Sequence, residues 1–241
     1  MLTKLFRETN KSFVRNIDKV ILFSIPMLIA FLILYMIRLP TFPAIGGIFL
    51  RIGSLPDVTP LDAGIMILAY LVSLYFMSLV IVSINIIIKS QRTSINIKNE
   101  VLKSMKGYTL NMFFLYLLLT LMWFAIQLIT YNIDYREILA PLFILIVSIP
   151  FFYAPCALVI DNVSPEKAVS RSIKHVISKP QLFIVWLVLG VVLLSLLGLV
   201  LYGTVPSIAT WVFLIINSLV ISPYLIVLQI NMYISKYSII G

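Results

Sequence analysis

Between Lys179 and Lys236 lie 56 consecutive residues without a single Asp, Glu, Lys or Arg. Shorter uncharged stretches separate Lys19 from Arg38, Asp62 from Lys89, Lys106 from Asp134, and Glu137 from Asp161. A bilayer core takes about 20 apolar residues per helix, so each shorter stretch holds one span. The long one holds two, broken at Tyr202-Gly203-Thr204-Val205-Pro206-Ser207. Backbone polar groups in hydrocarbon must be satisfied within their own segment, which makes runs of this length helical. The fold class expected is therefore all-α: a polytopic integral membrane protein with six transmembrane helices, near residues 20–37, 62–88, 110–129, 138–160, 181–202 and 205–228. The second and last spans are expected to run on past these bounds.

Composition excludes the alternatives. The chain of 241 residues is 61% hydrophobic and 11% charged, whereas a soluble globular chain is about 45–50% apolar and about a quarter charged. Spans and short connections take up nearly all of it, so a single membrane domain over 1–241 is expected. The first span could pass for a signal peptide, with Ala44-Ile45-Gly46 as a cleavage site. Its long basic leader, the Arg38 that follows it and the five later spans read instead as a retained helix.

Lys and Arg set the orientation. The N-terminal arm carries Lys4, Arg7, Lys11, Arg15 and Lys19; the second connection carries Lys89, Arg92, Lys98, Lys103 and Lys106. The fourth carries Lys167, Arg171, Lys174 and Lys179, and the tail Lys236. The other side has only Arg38, Arg51 and Arg136. Positive residues stay inside, so both termini are expected in the cytoplasm, with the protein in the plasma membrane. The net charge of +9 is then a topology signal and an attraction to anionic headgroups. Its placement argues against nucleic acid as a partner.

The basic connections themselves are patterned. Ser164-Pro165-Glu166 is a helix start, with a capping Ser, a Pro suited to the first turn and a Glu at the positive end of the dipole. Beyond it, Ala168, Val169, Ile173, Val176 and Ile177 share one face, mostly opposite Lys167, Arg171 and Lys174. The second connection repeats this, with Ile97, Val101, Leu102 and Met105 against Lys98, Lys103 and Lys106. Each spacing predicts an amphipathic juxtamembrane helix along the inner interface or under the bundle. Lys103-Ser104-Met105-Lys106 matches Arg171-Ser172-Ile173-Lys174, and Lys11-Ser12-Phe13 stands in a similar place before the first span. Pro155 lies six residues before Asp161, as Pro223 lies six before Gln229. These matches suggest three parallel units, each of one inner helix and two spans. On the outer side, the first loop near 39–60 is apolar but broken by Pro and Gly. It is expected to lie on the interface, with a re-entrant path as the alternative.

The stretch Phe152-Tyr153-Ala154-Pro155-Cys156-Ala157-Leu158-Val159-Ile160-Asp161, followed by Ser164-Pro165-Glu166-Lys167-Ala168-Val169-Ser170-Arg171-Ser172, carries a likeness. It resembles the membrane domain that accompanies some glycerophosphodiester phosphodiesterases, and related multi-span families of bacteria and archaea. Pro223 on the last span and Met232-Tyr233 before Lys236 also fit. The likeness covers roughly residues 153–200, and it implies a fold and a compartment. The phosphodiesterase chemistry needs paired histidines and a carboxylate-bound metal, whereas this chain has His175 alone. That activity is not carried over.

The search for chemistry yields little. His175, on a basic helix, reads as solvated or interfacial, and no spacing of His, Asp or Glu suggests a metal site. Cys156 is the sole cysteine, which rules out an intramolecular disulfide. Asp161 has two readings: an acceptor in the Asp161-Asn162 turn, the favoured one, or a partner of Arg171 inside the bundle. No ionised residue sits centrally in a span, against the habit of proton-coupled carriers. The polar residues in the spans read as interhelical hydrogen-bonders. The alternative places Asn85, Asn217 and Gln229 around a polar cleft. Pro26, Pro141, Pro150, Pro155 and Pro223 fall in spans, and the pair at 150 and 155 makes the fourth span the expected bent one.

The expected function is that of a non-catalytic membrane protein without cofactor, acting by interaction as a scaffold, assembly factor or lipid-associated module. Its expected partners are membrane lipids, with anionic headgroups meeting Lys103, Lys106, Arg171 and Lys174, and a membrane protein or a second copy of the chain. The alternative is a transporter or channel subunit for a neutral or lipid-like substrate.

Overall fold

The computed structural model describes residues 2–36, 41–44, 47–50, 60–93, 97–133 and 135–235. Helix α1 (Leu2–Arg15) precedes α2 (Ile17–Met36), and a hairpin of β1 (Thr41–Ala44) and β2 (Gly47–Leu50) follows. Then come α3 (Pro60–Thr93), α4 (Ile97–Thr130), α5 (Arg136–Ser148), a 3-10 turn (Ile149–Phe151) and α6 (Ala154–Ile160). The chain continues through α7 (Pro165–Ser178), α8 (Pro180–Thr204), α9 (Ala209–Ile216), a π-helical turn (Asn217–Ile221) and α10 (Ser222–Ile234). Among the described residues, six stretches are long and apolar enough to cross a membrane: Ile17–Met36, Gly64–Gln91, Met105–Thr130, Glu137–Ile160, Pro180–Thr204 and Ala209–Ile234. The molecule is an all-α, six-span integral membrane protein with amphipathic juxtamembrane helices, and the described residues include a short hairpin besides.

Two features differ from the sequence expectation, and one extension agrees with it. The inner helix of the second connection is not separate: α4 runs unbroken from Ile97 to Thr130 and joins it to the third span. Nothing between Lys106 and Leu110 stops a helix, and Gly107 alone does not break one in a strongly helical setting. The second and last spans continue to Thr93 and Ile234. In the first outer loop, Thr41 pairs with Leu50 and Ala44 with Gly47 in antiparallel register. The rest of that loop, with Arg38 and Arg51, lies outside the described residues, as does Lys236.

Hydrogen bonds between span ends show which ends meet. Lys89 reaches Val159, Tyr108 reaches Asn162 and Tyr233 reaches Asp161. The starts of α4 and α7 and the ends of α3, α6 and α10 therefore gather at one end, which also carries most of the basic residues; we call it the basic end. Packing is tightest there. Residues 80–88 of α3, 151–159 around α6 and 225–234 of α10 are buried without interruption. The second, fourth and sixth spans are 50%, 56% and 44% buried, against 33%, 28% and 11% for the first, third and fifth. Even-numbered spans thus form the centre and odd-numbered ones the periphery.

The order of one juxtamembrane stretch and two spans recurs three times. The same 68-position offset relates Lys103 to Arg171, Pro155 to Pro223 and Asp161 to Gln229. The juxtamembrane stretches also bury similar rows: Thr9, Phe13 and Asn16; Thr109 and Met112; and Ala168, Ser172 and His175. The first helix closes the ring by packing on the last. Phe13 meets the Tyr224 ring edge-on at 5.5 Å, and the Tyr224 hydroxyl donates to Asn10 Oδ1 at 2.8 Å. Because lipid tails are as apolar as Leu, such fitted contacts and hydrogen bonds, rather than expulsion of water, hold the spans together.

Candidate functional site: a polar hub around α6

The hub begins with a broken helix. Pro150 and Pro155 each lack an N–H, and a proline ring also clashes with the preceding turn. The fourth span consequently stops at Ser148, tightens into the 3-10 turn and restarts at Ala154 as a helix of seven residues. So short a helix leaves most of its backbone groups unpaired at both ends. In hydrocarbon these must find partners elsewhere, and neighbouring elements supply them.

At the start of α6, the Tyr153 N–H donates to Ser172 Oγ of α7 at 2.9 Å, and Gln229 Nε2 of α10 donates to the Phe152 carbonyl. In its last turn, Lys89 Nζ of α3 donates to the Val159 carbonyl at 2.7 Å, placing a cation at the negative end of the helix dipole. The turn that follows is held as well. Asn162 takes φ of 51°, a left-handed conformation that Asn tolerates better than most residues. Its Oδ1 accepts from the Tyr108 hydroxyl at 2.5 Å.

Asp161 closes the hub. One oxygen, Oδ2, accepts from Arg171 Nη1 at 2.5 Å and from the Tyr233 hydroxyl at 2.8 Å. The Asp161 side chain is 2% exposed and that of Arg171 46%. The pair thus has one buried and one half-exposed member. Removing the cation from a buried pair costs about 3–5 kcal/mol, since a buried carboxylate is left without its countercharge; exposure of Arg171 puts this pair at the low end. This corrects the favoured sequence reading, in which Asp161 served only its own turn.

His175 is corrected too. It is 6% exposed, with its ring edge-to-face against Tyr153 at 4.7 Å and Tyr233 at 5.3 Å. Around α7 the side chains form three rows. Ala168, Ser172, His175 and Val176 are buried against the protein. Lys167, Arg171 and Lys174 are exposed. Ile173 and Ile177, at 37% and 74% exposure, form an apolar ridge. The expected single apolar face is therefore split, because the protein side takes up small and polar groups that fit the broken α6 and leaves two isoleucines outward.

The remaining sequence candidates are scattered. Lys106 is exposed near the start of the third span; Lys103 lies on α4 among residues whose side chains are outside the description. Asn85, Asn217 and Gln229 are all buried, yet among the described residues no hydrogen bond joins them. Asn85 Nδ2 donates to Ile81 of its own helix at 2.8 Å, and Asn217 Oδ1 accepts from Ser222 at 2.9 Å. Asn85 Oδ1 and Asn217 Nδ2 have no hydrogen-bond partner among the described residues. Gln229 belongs to the α6 hub instead.

Sequence offers Ser172, Tyr153, Tyr233 and Lys89 only within motifs or a charge count, never as members of one site, and Tyr108 not at all. The proline pair was the one signal available, since a helix broken in hydrocarbon requires outside donors and acceptors. Among the described residues, no three His, Cys, Asp or Glu side chains gather into a metal-binding set. What the hub can do is tie α3, α4, α7 and α10 to one short helix. No family model, curated protein or solved structure compared with this chain matches it. The resemblance seen over residues 153–200 rests on those residues themselves.

Proposed function

We propose that this is a non-catalytic integral membrane protein that acts by interaction, as a lipid-associated module with its basic end at the inner leaflet of the plasma membrane. The observation that carries the reading is the three-row surface of α7. One row is occupied by the protein, and the two others match the two layers of a membrane interface. Ile173 and Ile177 suit the acyl boundary, while Lys167, Arg171 and Lys174 reach headgroup phosphates. Basic residues near an anionic surface contribute about 1 kcal/mol each, so this row contributes about 3 kcal/mol. Lys103 and Lys106 on α4 add to the same field. The excess of basic residues in the connections supports cytoplasmic termini. The resemblance to the membrane domain of some glycerophosphodiester phosphodiesterases supports the same compartment.

The test is native mass spectrometry of the protein in nanodiscs of mixed phosphatidylcholine and phosphatidylglycerol. Preferential retention of phosphatidylglycerol, reduced in Lys167→Gln/Lys174→Gln, is expected. Equal retention of both lipids defeats the reading.

A second reading, a transporter or channel subunit for a neutral or lipid-like substrate, draws on the unpartnered amide atoms of Asn85 and Asn217, buried within spans. Such atoms are costly in hydrocarbon unless used. It requires a flux into vesicles that Asn217→Ala and Gln229→Ala abolish; unchanged flux in both variants removes it.

A further inference from the structure

We infer that α7 is a charge-sensitive latch: anionic headgroups compete with the Asp161 carboxylate for the Arg171 guanidinium, and gaining that contact loosens α7 from α6 and α10. The inference rests on the headgroup reading of α7 and adds what binding there does to the rest of the molecule.

Arg171 is where the two functions of α7 meet. It belongs to the exposed row of Lys167 and Lys174, yet its Nη1 turns inward to Asp161. Its next neighbour in sequence, Ser172, and His175 one turn on hold the other side of the helix to Tyr153 and Tyr233. These polar and ring contacts of α7 with the hub lie between Arg171 and His175, with Ala168 and Val176 buried on either side, and Arg171 is their outermost member. Exposure makes the contest asymmetric. A headgroup can reach a guanidinium that is 46% exposed, and cannot reach a carboxylate that is 2% exposed.

The guanidinium prefers a bidentate oxyanion, which a phosphate offers. Here Asp161 accepts through Oδ2, an oxygen it already shares with Tyr233. Lys167 and Lys174 are exposed with α7 attached and meet headgroups in either state. They hold the anionic surface beside Arg171, and the differential contact is the one Arg171 gains, a bidentate phosphate in place of one shared carboxylate oxygen; that contact lets lipid composition shift the population of attached and loosened α7.

The chain carries its own reporter. Cys156, the sole cysteine, is fully buried on α6, and a maleimide reaches it only when the hub opens. Intact protein is placed in nanodiscs of phosphatidylcholine alone or with phosphatidylglycerol and treated with N-ethylmaleimide. Alkylation is followed by intact mass, and retained phosphatidylglycerol is counted in the same native spectra. Alkylation about tenfold faster in the anionic discs is expected. Asp161→Asn, which removes the inner competitor, is expected to react at the fast rate in both.

Equal or slower alkylation in anionic discs that retain phosphatidylglycerol overturns the latch and leaves the headgroup reading standing. Failure to retain phosphatidylglycerol overturns both. Should Asp161→Asn fail to fold, Arg171→Gln takes its place: it removes the group for which headgroup and carboxylate compete. Alkylation at one rate in both discs is then expected; a lipid dependence equal to that of wild type overturns the latch.

Discussion

In the fourth span the helix ends at Ser148 and restarts at Ala154, whereas in the sixth it widens into a π-helical turn at 217–221 and continues. The two regions are 68 positions apart and carry matching prolines, Pro155 and Pro223, each the second residue of the helix that follows. In the sixth span a wider ring accommodates Pro223, and the Ser222 N–H still reaches the Asn217 carbonyl, so the backbone remains largely satisfied within its own segment. In the fourth span Pro150 adds a second break, and the freed groups take partners from α3, α7 and α10. The residue six places on is the neutral Gln229 in one case and the charged Asp161 in the other. A single proline is therefore accommodated within its own span. A second proline and a carboxylate turn the break into a hub that other helices complete.

The comparison can be broken most directly at the charge. Arg171→Gln is expected to destabilise the protein in detergent micelles by about 3 kcal/mol, because Asp161 stays buried without its countercharge; denaturant titration measures it. Gln229→Ala, at the position matching Asp161, is expected to cost less, about 1–3 kcal/mol, by leaving the Phe152 carbonyl unpaired. If the two variants cost the same, the charged and neutral positions do not differ in the way argued. Ser172→Ala tests the backbone side of the hub. It strands the Tyr153 N–H and is expected to cost about 1–2 kcal/mol, seen also as faster amide exchange around 152–156.

Smaller effects lie further from the break. Lys89→Met removes the cation from the end of α6 and is expected to cost about 0.5–1 kcal/mol, less at high salt. Tyr224→Phe cuts the hydrogen bond between α10 and α1 but keeps the ring contact with Phe13. The expected loss is about 0.6 kcal/mol, with faster exchange confined to α1. A larger, global loss in Tyr224→Phe would make ring closure by α1, rather than the hub, the main source of stability.

Much of the architecture is legible before any coordinates. Five uncharged runs, the longest of them double, announce six spans, and the Ser164-Pro165-Glu166 start announces α7. The clustered Pro150 and Pro155 mark the fourth span as the one that breaks. The hub was legible only in pieces. Asp161 and Arg171 both stand out in the sequence, yet their pairing is the weaker expectation there, because a ten-residue separation across a turn does not say which way either side chain points. Periodicity grouped Ile173 and Ile177 with Ala168 and Val176 as one apolar face. It cannot distinguish an apolar residue facing lipid from one facing protein, since both surroundings accept it. The expectation of a solvated or interfacial His175 fails for the same reason: in a membrane protein a polar residue can mark the buried side of a helix.

The sequence by itself determined the number of spans, the grouping of basic residues in alternate connections and the location of the helix breaks. All three follow from interactions within one segment, namely the length of an apolar run, the missing N–H of proline and the cost of a charge in hydrocarbon. Only the tertiary structure decided that α1 closes on α10, that even-numbered spans form the centre, and that Ser172, Gln229, Lys89 and Arg171 complete α6. Those outcomes depend on which distant groups can reach a stranded donor or acceptor. That is a matter of three-dimensional fit between segments that are all apolar enough to sit anywhere in the membrane.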